Sequence, residues 1–88
     1  MEQRIALIGI MVEELDASAQ VNAVLHDYSD KIVGRMGFPY RDRGVHIISI
    51  ILDATGDEIS TLAGKLGRIA GVSVKTMVTN TGSKNEAG

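Results

Sequence analysis

Two runs of the chain, Ile5 to Val12 and Val45 to Leu52, are apolar at nearly every position. A strand covered on one face alternates apolar and polar residues, so runs that are apolar at both parities predict strands with both faces buried. A chain of 88 residues can cover one face of such a sheet with its own helices; the other face calls for a second chain. Each run is followed by apolar residues at helical spacing. After the first, Asp16 is a candidate N-cap and Ala17, Val21, Val24, Leu25 and Tyr28 form one stripe. After the second, Thr55 and Glu58 have the spacing of a capping box ahead of Ile59, Leu62, Ala63, Leu66 and Ile69, with Gly71 as the expected stop. Gly64 and Gly67 weaken that helix unless they let it approach a neighbour closely.

Two further strands alternate. In Lys31 to Phe38, Ile32, Met36 and Phe38 share one predicted face and Lys31, Val33 and Arg35 the other. In Val72 to Thr79, Val72, Val74 and Val78 oppose Ser73, Lys75 and Thr79. The order strand, helix, strand, strand, helix, strand, with the two-faced strands first and third, predicts an α+β fold. It is a ferredoxin-like βαββαβ sandwich, a four-stranded antiparallel sheet with the first and third strands in the middle and two helices on one face.

Length predicts one domain over residues 1–79, and the polar stretch from Asn80 to Gly88 reads as a disordered tail, with too little apolar surface to offset its ordering entropy. Nine Lys and Arg stand against eleven Asp and Glu, which leaves no electrostatic footprint for nucleic acid or an anionic membrane. With no cysteine there is no disulfide framework, no thiol nucleophile and no thiolate metal ligand. The apolar runs are far shorter than the ~20 residues of a spanning helix, and no cleavage site follows the first, so the expected location is cytoplasmic.

Candidate chemistry concentrates in Gly34 to Gly44, which holds Arg35, Arg41, Arg43, Phe38, Tyr40 and the chain's one proline, Pro39. Guanidinium forks recognise carboxylate or phosphate and the aromatic rings can stack on a ligand. Arg35, Tyr40, Arg41 and Arg43 are therefore the candidate ligand- or partner-binding residues. The plainer reading is a solvated hairpin in which Gly44 supplies a positive φ and Asp42 pairs with a flanking arginine. His26 and His46 are too few for a closed metal site, and a histidine late in a helix gains from the macrodipole without a metal. Glu13, Glu14 and Asp16 read as favourable charge at a helix start. Gly9 inside the first strand suggests a close approach or a bulge. No nucleophile elbow, Walker loop or dinucleotide fingerprint is present, so neither an enzyme nor a cofactor is expected.

The hairpin Gly34 to Val45, with Val21-Asn22 and Leu25-His26 before it and Asp57 to Ile59 and Gly64 to Gly67 after it, resembles a small family named for regulation of the iron-only hydrogenase system. The resemblance spans about residues 3 to 79. Such proteins are similar to ACT-like domains and to the C-terminal sensing domain of nickel-responsive repressors. The resemblance thus implies an ACT-like ferredoxin fold that assembles into dimers or tetramers. The nickel sensors use several histidines and a cysteine, whereas this chain has His46 alone on its third strand. Amino-acid-binding ACT domains carry a glycine between first strand and first helix, where this chain reads Met11-Val12-Glu13-Glu14-Leu15-Asp16.

The expected function is accordingly a regulatory or sensing domain of an iron-only hydrogenase system. It would act as a homo-oligomer through a small-molecule effector or a protein partner, without direct contact to nucleic acid or membrane. The alternative is a structural protein–protein interaction module with no ligand.

Overall fold

The computed structural model describes residues 2–79, so the expected polar tail over 80–88 lies outside the described residues. Strand β1 (Gln3–Val12) leads into helix α1 (Ala17–Asp27), strand β2 (Ile32–Tyr40), a 3-10 turn (Arg41–Arg43), strand β3 (Val45–Thr55), helix α2 (Gly56–Gly67) and strand β4 (Val72–Val78). The sheet order is β2-β3-β1-β4 and every neighbouring pair is antiparallel, which puts the two strongly apolar strands in the centre as expected.

The even residues of β1 and β3 face the helices. Ile8, Ile10, Ile50 and Leu52 are fully buried there against Val21 and Leu25 of α1 and Ile59, Leu62 and Leu66 of α2. Burial of each such side chain stabilises the fold by about 1.5–3 kcal/mol relative to exposure. The α1 stripe packs as its spacing requires, with Ala17, Val21 and Leu25 buried and Val24 and Tyr28 partly so. Asp16 occupies the N-cap position of α1, but its backbone is already helical (φ −61°, ψ −24°) and its side chain caps nothing.

Helix α2 has the complete capping box: the Glu58 N–H donates to Thr55 Oγ1 at 3.2 Å and the Thr55 N–H donates to Glu58 Oε1 at 2.9 Å. The other carboxylate oxygen of Glu58 meets Lys31 Nζ at 3.2 Å, tying the start of β2 to the start of α2. The Thr55 backbone hydrogen bond, and after it Lys31, hold the Glu58 carboxyl below the ordinary glutamate value.

Two expectations need correction. Helix α2 ends at Gly67 rather than at Gly71, where the Arg68 N–H returns to the Gly64 carbonyl at 3.2 Å. Gly71 instead turns the chain into β4 at φ +82°, and its carbonyl accepts from the Glu13 N–H at 2.7 Å. The second correction concerns β2. A register shift between Ile32 and Gly34 places Ile32 opposite Leu52 on the helix side, while Met36 and Phe38 oppose Ser49 and Ile47 on the other face. One extra residue in a bulge reverses the parity of everything after it, so Ile32 does not share a face with Met36 and Phe38.

Candidate functional site

The odd residues of β1 and β3 lie on the face that no helix among the described residues covers. Across the four strands this face presents Ile5, Leu7 and Met11 of β1, Ile47 and Ile51 of β3, Met36, Phe38 and Tyr40 of β2 and Met77 of β4. Leu7 and Ile51 are each 42% exposed and Met36 and Met77 each 69%. Polar interruptions are few: Ser49 and Lys75 flank Gly9 in the central row, and Asp53 and Ser73 lie towards the margins. Gly9 makes neither of the expected local features. Its strand pairs regularly on both sides, and a side chain there would meet nothing within 4 Å.

The Gly34 to Gly44 segment is mostly strand. β2 runs to Tyr40, the 3-10 turn closes at once, and Gly44 at φ +66° takes the left-handed conformation that permits so tight a link. Phe38 and Tyr40, two residues apart on the open face, have ring centroids 5.9 Å apart at a tilt of 34°. Asp42 forms no ion pair with Arg41 or Arg43 among the described residues.

The four candidate residues do not converge. Tyr40 and Arg41 line a concavity of about 420 Å3 at the hairpin end, together with Leu15, Pro39, Val45 and His46. Its volume falls in the ~300–1,000 Å3 range of small-molecule sites. Arg43 is exposed in the turn and does not line it. Arg35 lies six residues before Arg41, roughly 20 Å along a strand, and on the helix side, because its cross-strand partner is the buried Ile50. Its Nη2 donates to Asn22 Oδ1 of α1 at 2.6 Å. Leu15 and His46 are site residues that sequence reasoning passed over. Leu15 is 88% exposed, and an isolated leucine inside the acidic turn Glu13-Glu14-Leu15-Asp16 was the signal available.

The hairpin concavity is lined by Leu15, Pro39 and Val45 together with one guanidinium, one phenol and one imidazole, group types that can contact a planar or anionic moiety. No histidine pairs with carboxylates in any group of three or more that could hold a metal, among the described residues. Nor is any described helix long and apolar enough to cross a membrane.

Sheet order, antiparallel pairing and two helices on one face define a ferredoxin-like α+β fold, one of whose sheet faces is apolar and uncovered among the described residues. Residues 4–76 match the TM1266-like family, described as "Iron-only hydrogenase system regulator, putative", and the chain belongs to that family. It is similar to the uncharacterized protein TM1266 from Thermotoga maritima, at 41% identity and a TM-score of 0.84 over 88% of this chain and 98% of that one. The C-terminal domain of the MgtC protein from Mycobacterium tuberculosis shares the fold, with a TM-score of 0.69 at 16% identity over 93% of this chain and 94% of that one. No curated protein matches the chain.

Proposed function

We propose that this chain is a non-enzymatic regulatory subunit of an iron-only hydrogenase system. It works as a homo-oligomer whose subunits bury their open sheet faces against one another, and its hairpin concavity receives a small effector or a segment of a partner protein. The observation that carries this reading is the open face. Leu7, Met11, Met36, Phe38, Ile51 and Met77 each keep 42–69% of their surface exposed on this one face, the kind of surface that a standard protein interface, at ~800 Å2 per partner, buries. Monomeric proteins rarely leave so large a contiguous apolar patch in water. Membership of the regulator family supports the functional half of the proposal.

Sedimentation velocity at micromolar concentration tests the assembly: a dimer or tetramer is expected, and a monomer mass overturns it. A thermal-shift screen of metabolites tests the effector, because a ligand that binds only the folded state must raise its midpoint. An oligomer that no metabolite stabilises would favour the other reading, a structural interaction module, which draws on the same open face and leaves the concavity without a ligand.

A further inference from the structure

A second concavity, of about 260 Å3, lies between α1 and β2, on the helix side and away from the hairpin. Its walls carry Asn22 and His26 of α1, Ser29 just beyond the helix end, and Arg35 of β2, over a floor of Leu25 and Ile32. Asn22, His26 and Ser29 recur at i, i+4 and i+7, which stacks them along one side of the helix and its first following turn. Arg35 reaches this row from the strand and is held by Asn22 Oδ1 at 2.6 Å.

The chemistry of that contact is specific. A carboxylate at position 22 would neutralise the guanidinium, whereas an amide fixes it and leaves its charge unspent. Among the described residues, no carboxylate lies within ion-pair distance of Arg35, and neither Asp27 nor Asp30 lines the concavity. A guanidinium already held in place loses less rotamer freedom when it binds, and it still presents N–H groups in fork geometry. Imidazole and hydroxyl supply further donors. The volume lies below that usual for drug-sized ligands, ~300–1,000 Å3, and so favours a compact group over a large one.

We propose that Arg35, Asn22, His26 and Ser29 form a binding site for a small oxyanion, a phosphate or carboxylate group, separate from the hairpin concavity. The test is a titration of isotope-labelled protein, followed by amide NMR shifts, with sodium phosphate and separately with sodium acetate at constant ionic strength. Saturable shifts of residues 22–35 with a midpoint in the millimolar range are expected, whether or not the hairpin also responds. Response to phosphate alone assigns a phosphoryl ligand, response to acetate alone a carboxylate, and response to both a general oxyanion site. Asn22→Asp, which places an internal carboxylate against Arg35, and Arg35→Ala should each weaken binding at least tenfold with the spectrum otherwise native. Arg68→Ala, which removes an exposed cation that lines neither concavity, should leave the midpoint unchanged. Absence of saturable shifts with either anion, or an unchanged midpoint in Arg35→Ala, overturns the proposal.

Discussion

Met11 of β1 and Ile47 of β3 are direct cross-strand partners on the face that the helices leave bare. One residue along each strand, Val12 and His46 pair on the opposite face, where Val12 is buried. Parity therefore separates two roles for isoleucines that look alike in the sequence. A lysine at Ile8, which is fully buried, would put an unpaired charge in the core and cost several kcal/mol, a large part of the about 5–15 kcal/mol stability of an ordinary domain. A lysine at Ile47 would stand on the open face. Ile8→Lys should fail to fold by circular dichroism, whereas Ile47→Lys should keep its spectrum and sediment as a monomer. An Ile47→Lys oligomer of wild-type mass would place the interface elsewhere.

The central strands and both helices were legible because their signals are local and redundant: two long apolar runs, a stripe at helical spacing, and a threonine and glutamate at capping distance. The faces of β2 were not. Alternation from Ile32 through Phe38 looked unbroken, and the bulge between Ile32 and Gly34 is set by pairing with β3, a tertiary relation that leaves only the glycine itself as a trace. The stop of α2 was misplaced for a similar reason. Gly71 is required by its contact with the Glu13–Glu14 segment rather than by the helix.

Glycine substitutions should separate these uses. A Cβ on Gly71 would run into Glu14 Cγ and stand 2.7 Å from Glu14 Cβ, with the backbone at φ +82°. Gly71→Ala should therefore cost more than the ~1–2 kcal/mol of left-handed backbone alone. Gly44→Ala, at φ +66° with nothing within 4 Å, should cost about that amount and no more. In helix α2 the nearest atom to a Cβ on Gly64 is the flexible end of Arg68 at 3.9 Å, so Gly64→Ala should stabilise by about 0.5–1 kcal/mol. Urea midpoints rank the three, and a Gly71→Ala protein as stable as Gly44→Ala would contradict the close approach of Glu14.

The two helix starts should respond differently to alanine. Thr55→Ala removes a hydrogen-bonded cap and should destabilise by about 0.5–2 kcal/mol. Asp16→Ala removes no capping bond and should change stability by less than about 0.5 kcal/mol. Denaturant unfolding of the pair checks this, and equal losses would mean that Asp16 does cap α1 in solution.

Glu58 gives the fold a pH dependence of known sign. Its carboxyl titrates lower in the folded chain than the ordinary 4.5, so the folded state favours the ionised form. The stability this contributes is fully present above the ordinary value and is lost as pH falls through the lower folded value. Glu58→Gln keeps an acceptor for the Thr55 N–H and loses the titration. Its stability should fall less steeply than that of the wild type below pH 4.5, and parallel curves would assign the acid sensitivity to other carboxylates.

Of the candidate site, the sequence disclosed the segment and not its partition. Arginine and aromatic content marked Gly34 to Gly44, but strand parity sends Arg35 to the helix side and Tyr40 to the open face, while the turn separates Arg41 from Arg43. Side-chain direction in a strand depends on register, and register is fixed by the neighbouring strand. Leu15 and His46 come to the same concavity from other parts of the chain, a juxtaposition that no local spacing encodes.

That partition makes the two hairpin arginines unequal. Both are exposed and neither is ion-paired among the described residues, so Arg41→Ala and Arg43→Ala should each leave stability within about 0.5 kcal/mol of the wild type. Arg41 lines the hairpin concavity with Tyr40 and His46, and Arg43 does not. For any metabolite that raises the thermal midpoint by binding at the hairpin, Arg41→Ala should abolish the shift and Arg43→Ala should preserve most of it, with the oligomer intact in both by sedimentation. Equal loss in the two variants would mean that the turn binds as a charged surface rather than through the concavity. Dissociation of the oligomer in either would make the hairpin part of the assembly, its arginines meeting Glu13, Glu14 or Asp16 of a neighbouring subunit.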